Sequence, residues 1–284
     1  MRSEFIEEVV DAVLRGEKFR RIVLKELHKR ALLEFGRLIE IVAEYKEDAE
    51  DWWRRRLIEN RRLDKEYIIR FGALAEKTIA NIRRSTKKDV CIEESSLAYD
   101  VIKNILSEIR EKVPELSLKI RTKSKEVSLD SHDTYRLLLA ISSAFGGLRG
   151  GIWSEVGKRA GQEVLKRIFD KLGIPDSPVI NPKFYYELEI VSGGREIDAV
   201  IYWEGKPLYR IEIKLLGHGN PEIGNEAIAR KCNIFLVDDL TDLMRDQAKR
   251  HGVKVIFLKD ALDELYKEFK GVGLPVEKPN QQSF

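Results

Sequence analysis

The chain has little cysteine. Cys91 and Cys232 are the only two, and their separation fits neither a metal-binding nor a redox motif. No disulfide framework can be built from them, so two buried thiols in a reducing compartment are expected. Methionine is equally scarce and glutamine nearly so, while Lys, Arg and Glu abound. That bias fits a thermophile, in which charge networks replace labile side chains. No segment approaches the roughly 18 apolar residues of a membrane-crossing helix. The opening residues MRSEFIEEVV carry acids where a secretory signal needs a basic and then an apolar run. A cytoplasmic protein without a membrane partner is expected. Excess charge of one sign is missing too: 51 Lys+Arg against 48 Asp+Glu leaves +3. So small a balance implies no polyanion partner, and any such partner must be met by local charge.

Proline is absent before Pro114, which favours long uninterrupted helices in the first half. Phe19, Val23, Leu27, Ala31, Phe35, Leu38 and Val42 recur every three or four positions and trace one helix face. Further helices are expected around 52–63, from 64 to about 84, and from about 93 to 112. Basic residues cluster at Arg54 to Arg56, Arg61 and Arg62, Arg83 and Arg84, and Lys87 and Lys88. In LSLKIRTKSKEVSL, Lys119, Arg121, Lys123 and Lys125 alternate with the period of a strand. That pattern reads either as a basic ribbon able to enter a DNA groove or as a solvated surface. Trp52 and Trp53 are about 100° apart on a helix, which points to core packing or a subunit interface rather than base stacking. Ser131, His132 and Asp133 have the residue types of a hydrolase triad. Being contiguous at a helix start, they read as capping residues instead.

An apolar helix from Thr134 to Phe145 is expected to end in GGLRGG, whose four glycines let the backbone bend and approach a ligand closely around Arg149. A second helix, capped by Ser154, carries the stripe Val156, Ala160, Val164, Ile168 and Leu172 toward a sheet. Arg149 and Lys158 are candidates for contact with DNA. Glu155 and Glu163 are candidate metal carboxylates, with capping or surface roles as the competing reading.

Strands are expected at 184–190, 196–203 and 208–216, the last two joined by a three-residue turn centred on Gly205. Residues whose numbers sum to 410 then lie opposite one another, and Asp198 faces Glu212 at about 5 Å. Two carboxylates so close repel, and a hard divalent ion is one solution. Mg2+ held by Asp198, Glu212 and the Ile213 carbonyl, with Lys214 beside it, makes a phosphodiesterase site. A loop LGHGNPE follows, then a helix from Pro221, then a strand–helix–strand unit that forms a buried parallel sheet. His218 and Asn220 on that loop are candidates for phosphate contact. The chain closes with a helix and a loose tail from Gly271.

The order αβββαβ, with Asp198 and then Glu212-Ile213-Lys214, resembles the PD-(D/E)xK nuclease superfamily. Ile197 stands where its proline is usual. The segments FGGLRGGIWSEVGKRA, EIK and GHGNPEIGNEAIARKCNIFLVDDL resemble the CfrBI-like type II restriction endonucleases over roughly residues 140 to 260. The resemblance implies a restriction-endonuclease-like α/β core, with Mg2+-dependent cleavage of double-stranded DNA at a short site, leaving 5′-phosphate ends. It implies a homodimer on a palindrome and a cognate DNA methyltransferase as a functional companion. It also calls for a carboxylate near Gly161, which this chain lacks. The expected organisation is an all-α DNA-binding or dimerisation region over 1–135, a nuclease domain over 136–270 and a tail over 271–284. Two other functions compete. A junction resolvase or repair nuclease shares the triad, and a non-catalytic DNA-binding protein on a decayed nuclease fold is the third possibility. The intact Asp198, Glu212 and Lys214 argue against the last.

Overall fold

The computed structural model describes residues 4–123, 125–192, 195–215 and 231–279. In chain order these form helices α1 (Glu4–Leu14), α2 (Arg20–Tyr45), α3 (Lys65–Phe71), α4 (Glu76–Arg83) and α5 (Lys88–Glu108). Strands β1 (Leu118–Arg121) and β2 (Glu126–Leu129) come next, followed by α6 (Ser131–Glu155) and α7 (Gly161–Lys171). The remainder is β3 (Phe184–Ser192), β4 (Arg195–Trp203), β5 (Lys206–Lys214), β6 (Ile234–Val237), α8 (Asp242–Arg250), β7 (Lys254–Phe257) and α9 (Ala261–Gly271). π-helical turns lie at Arg54–Ile58 and Val156–Ala160. The class is mixed α/β. Contacts divide the chain into two units, 27–151 and the combination of 1–26 with 152–284. The break near 135 expected from sequence falls inside α6, and the first 26 residues join the unit that holds the large sheet.

The unit 27–151 is largely helical. The α2 stripe is buried as its spacing predicts, with Val23, Leu27, Ala31, Leu38 and Val42 all inside. Each of the Val and Leu side chains contributes about 1.5–3 kcal/mol by leaving water. Trp52 and Trp53 are core residues, and each indole finds an acceptor: Trp52 Nε1 donates to Asp133 Oδ2 at 2.8 Å and Trp53 Nε1 to the Phe71 carbonyl at 3.1 Å. The single helix expected over 64–84 is two. Ala73 takes a left-handed φ of 55° between α3 and α4, and a Cβ on Gly72 would meet Ser95 Cβ at 2.6 Å. Close approach to α5 therefore fixes the break. The unit is not all-α, because β1 and β2 pair as an antiparallel ribbon whose Ile120, Val127 and Leu129 are buried in the helical core. Asp133 is buried and meets Arg136 Nη1 at 3.2 Å, besides Trp52, so it serves structure and not catalysis. Asp130 Oδ1 accepts the Asp133 N–H at 2.8 Å, giving the start of α6 its cap.

The second unit is built on a five-stranded sheet of order β3-β4-β5-β6-β7. The first two pairings are antiparallel and the last two parallel. β6, Ile-Phe-Leu-Val, is buried throughout, as a central parallel strand should be. Val156, Ala160, Val164, Ile168 and Leu172 are all buried, and the Val164 stripe of α7 belongs to the sheet unit's core. α1 joins this unit: Arg167 of α7 pairs with Asp11 at 2.5 Å and with Glu7. Residues after α9 are not a loose tail as far as 277. Leu274 and Val276 are buried, and the Glu277 N–H donates to the Leu172 carbonyl at 2.9 Å. Gly273, at φ 83°, supplies the left-handed turn that sends the chain back.

Candidate active site

The β4–β5 hairpin decides where the expected acids lie. Its turn has two residues, not three: Glu204 and Gly205 both have positive φ, 51° and 76°, as a type I′ turn requires. Trp203 pairs with Lys206 and Tyr202 with Pro207, so the numbers sum to 409 near the turn. An extra residue, Leu208, then bulges out of β5. Pro207 beside it has no N–H to give a regular ladder, which suits it to a bulge. From Ile201–Tyr209 to Ala199–Ile211 the sum becomes 410. The bulge thus cancels the misjudged turn, and the register of the last paired rungs, extended by one step, runs toward Asp198 and Glu212. The ladder itself stops at Ala199–Ile211, one step short of those acids.

Beyond that last rung a side chain replaces the backbone. Asp198 Oδ2 accepts the Ile213 N–H at 2.9 Å. That nitrogen belongs to the peptide joining Glu212 to Ile213, so the Asp198 carboxylate sits against the Glu212-Ile213-Lys214 triplet. Alternation puts Glu212 and Lys214 on one face of β5 and Ile211 and Ile213 on the other. Glu212 is 0% exposed, whereas Asp198 and Lys214 are partly exposed. Both acids also act on a third group. The buried Cys232 thiol is pushed far above the usual range, first by burial and then by the charges of Glu212 and, further down, Asp198. Cys91 is likewise buried, with its thiol raised by burial.

The donor set tests the expected metal. Asp198 and Glu212 offer hard carboxylate oxygens, the donor type that suits a hard divalent cation. A carboxylate buried as deeply as Glu212 is costly unless positive charge stands near it. Among the described residues no group of three or more His, Cys, Asp or Glu side chains converges in a way that could hold a metal ion. Two carboxylates suffice for Mg2+, which completes its shell with water and phosphate oxygens.

The further acidic candidates have arginine partners. Glu155 pairs with Arg159 at 3.2 Å, and Glu163 with Arg167 at 3.4 Å, the same arginine that binds Glu7 and Asp11 of α1. Position 161 is settled by packing. A Cβ on Gly161 would stand 3.0 Å from Ile213 Cγ2, so a side chain there would press on the β5 face opposite Glu212. Lys158 lies 3.1 Å from Glu189 and 3.2 Å from Glu196, whose charges raise its ammonium above the usual range.

GGLRGG does not bend the chain or end a helix. It lies inside α6, Arg149 is exposed, and Ser154 is helical rather than an N-cap. A Cβ on Gly146, Gly147, Gly150 or Gly151 would meet nothing within 4 Å, so packing does not require these glycines. On the ribbon, Lys119 and Lys123 are exposed, while Arg121 pairs with Glu126 at 2.7 Å. The other basic clusters also meet acids: Arg54 with Asp100 at 3.1 Å, Arg61 with Asp89 at 2.7 Å, and Arg83 with Glu93 at 2.8 Å. A cavity of about 490 Å³ beyond the ends of β6 and β7 is lined by Lys18, Arg20 and Lys259 but equally by Glu17, Asp238 and Asp239, so it makes no strong anion site. His218 and Asn220 lie outside the described residues.

Sequence reasoning missed Glu189. It sits on β3 at the rung of Asp198 and has a φ of 55°. That conformation costs a non-glycine residue about 1 kcal/mol or more. Glutamate has no preference for it, so nothing in the local sequence announced it.

Among the described residues, no helix is long and apolar enough to cross a membrane. Comparison with curated proteins and with solved structures returned no match. A family model does match, that of the CfrBI restriction endonuclease, over residues 3–245. The match covers most of both units and every residue of the candidate site, and the chain belongs to the CfrBI restriction endonuclease family.

Proposed function

We propose that the protein is a type II restriction endonuclease that cleaves double-stranded DNA at a specific short sequence, in the presence of Mg2+, leaving 5′-phosphate ends. Family membership supports sequence-specific DNA cleavage. The observation that carries the chemistry is the Asp198 carboxylate seated on the Ile213 N–H, between Glu212 and Lys214. On this reading β3, β4 and β5 with α7 and the β6–α8–β7 unit are a PD-(D/E)xK core. Asp198, Glu212 and the Ile213 carbonyl would hold the ion. When bound, Mg2+ supplies Lewis acidity and an acidified water at neutral pH. Lys214 orders the attacking water and offsets the charge that develops on the phosphoryl oxygens. The Ile213 N–H fixes the Asp198 carboxylate in one orientation, so less reorganisation is needed at the moment of reaction.

DNA binding is assigned to Arg149 and the bare glycine face of α6, to Lys158, and to Lys119, Arg121 and Lys123 on the β1–β2 ribbon. His218 and Asn220 remain candidates in the stretch after β5. The unit 27–151 would supply specificity or dimer contacts, and a homodimer matches a palindromic site. A cognate methyltransferase follows from the function and needs no direct contact. A cytoplasmic location follows in the same way. The test is incubation with plasmid DNA and Mg2+, with the fragment ends sequenced. Discrete fragments with one end sequence support the proposal. Nicking confined to branched substrates replaces it with a structure-selective nuclease, and binding without cleavage replaces it with a non-catalytic DNA-binding protein.

A further inference from the structure

The ladders on both sides of Asp198 leave it out. β3 and β4 pair from Phe184–Trp203 to Ser192–Arg195 except at one step, where Glu189 and Asp198 would meet. β4 and β5 part after Ala199–Ile211. At the skipped rung Glu189 is left-handed, with φ 55°, inside an otherwise extended strand. A left-handed residue turns its peptide groups out of the ladder direction, so the strand opens locally without a shift in register. The register agrees: Leu188–Ala199 and Ile190–Ile197, on either side of the gap, keep the same sum.

Such strain persists only where the surroundings impose it. Here the Glu189 side chain is held by two groups from the helical segment before it. Lys158 Nζ lies 3.1 Å from its carboxylate, and Gln162 Nε2 donates to it. Lys158 also reaches Glu196, two residues before Asp198 on β4. These contacts tie the kinked residue to the π-helical turn and α7. On the other side of the gap, the Asp198 carboxylate takes the Ile213 N–H.

We propose that the left-handed turn at Glu189 is a positioning device for Asp198. It keeps Asp198 out of a regular rung, so that the carboxylate can swing across to β5 and sit beside Glu212 and Lys214. Glu189 is a positioning residue and takes no part in the chemistry. The consequence for cleavage rests on the function proposed above; the consequence for the Asp198–Ile213 contact does not.

A substitution series in the full chain separates the conformation from the carboxylate. Glu189→Gly and Glu189→Asn tolerate a left-handed φ, whereas Glu189→Val opposes it and favours regular strand. Two readouts are needed: hydrogen exchange at the Ile213 amide, and single-turnover cleavage of plasmid DNA at saturating Mg2+. Gly and Asn should leave Ile213 protection unchanged and keep cleavage within about threefold, since the conformation they need is allowed. Val should lower Ile213 protection and cleavage each by about tenfold or more, with DNA affinity in Ca2+ unchanged. If Val does not fold, Glu189→Thr carries the same β-branched preference in a milder form. Retention of both readouts in the β-branched variant overturns the proposal. So does a Gly variant as impaired as Val, which would assign the effect to the lost carboxylate. If the wild type cleaves no DNA the functional reading falls, while Ile213 exchange still decides the positioning claim.

Discussion

The two ends of the β4–β5 hairpin follow opposite rules. At the turn end every irregularity restores order: two positive-φ residues close the loop, and the bulge at Leu208 corrects the register. At the other end the ladder stops while both strands continue, and a carboxylate takes over a backbone partner's role. One end is arranged so that the strands meet. The other is arranged so that they part, leaving Asp198, Glu212 and Lys214 together at the opening. Local disorder of the pairing is thus kept at the end that carries the proposed site and repaired at the other.

Substitutions at the two ends should therefore fail differently. The largest effect is expected for Asp198→Ala. Cleavage should fall by roughly 10³-fold or more, because the carboxylate that would hold the ion is lost, while specific DNA binding in Ca2+ persists. Cleavage that survives removes Asp198 from the mechanism. Lys214→Ala should lower the single-turnover rate by roughly 10²- to 10³-fold with little change in the Mg2+ concentration needed. An unchanged rate refutes its role. At the turn end, Gly205→Val should cost about 1–3 kcal/mol in denaturant unfolding, because φ is 76° there, yet leave the rate per folded molecule intact. A rate loss without a stability loss would erase the contrast between the ends.

Two smaller effects sharpen it. Arg149→Ala should weaken DNA binding or relax sequence choice severalfold, about the value of one phosphate or base contact. Identical affinity and specificity would return Arg149 to surface charge. Lys254 of β7 and, from the hairpin itself, the Tyr209 hydroxyl hold the Glu268 carboxyl below its ordinary 4.5. A depressed acid contributes stability above its unfolded value and loses it as pH falls through the folded one. The melting temperature should therefore drop on acidification below pH 4.5 less steeply in Glu268→Gln than in the wild type. Equal slopes would show that the pairing contributes nothing.

Much of this was legible beforehand, for identifiable reasons. The α2 stripe and the Val156–Leu172 stripe were readable because burial imposes a helical period on apolar residues. β6 was readable from its unbroken apolar run. The register sum of 410 over Ile201–Tyr209 to Ala199–Ile211 was reached through an error in the turn that Leu208 happened to cancel. GGLRGG misled, since glycine is punctuation only where nothing else holds the helix, and here α6 runs through it. The role of Gly161 was invisible because it depends on Ile213, which is distant in sequence. Glu189 was invisible because glutamate has no preference of its own for a left-handed φ, and its partners Lys158 and Gln162 are distant in sequence.

The membership of α1 in the sheet unit has a consequence for how the protein is made. Phe5, Ile6, Val9, Val10 and Val13 are buried on α1, which packs chiefly against elements beyond 151. During synthesis that oily surface must wait, uncovered, while the whole intervening unit leaves the ribosome. The helical middle can mature early on neighbouring contacts, but the sheet unit closes late. On the function proposed above, a nascent chain is therefore unable to cut DNA until translation is well past its midpoint.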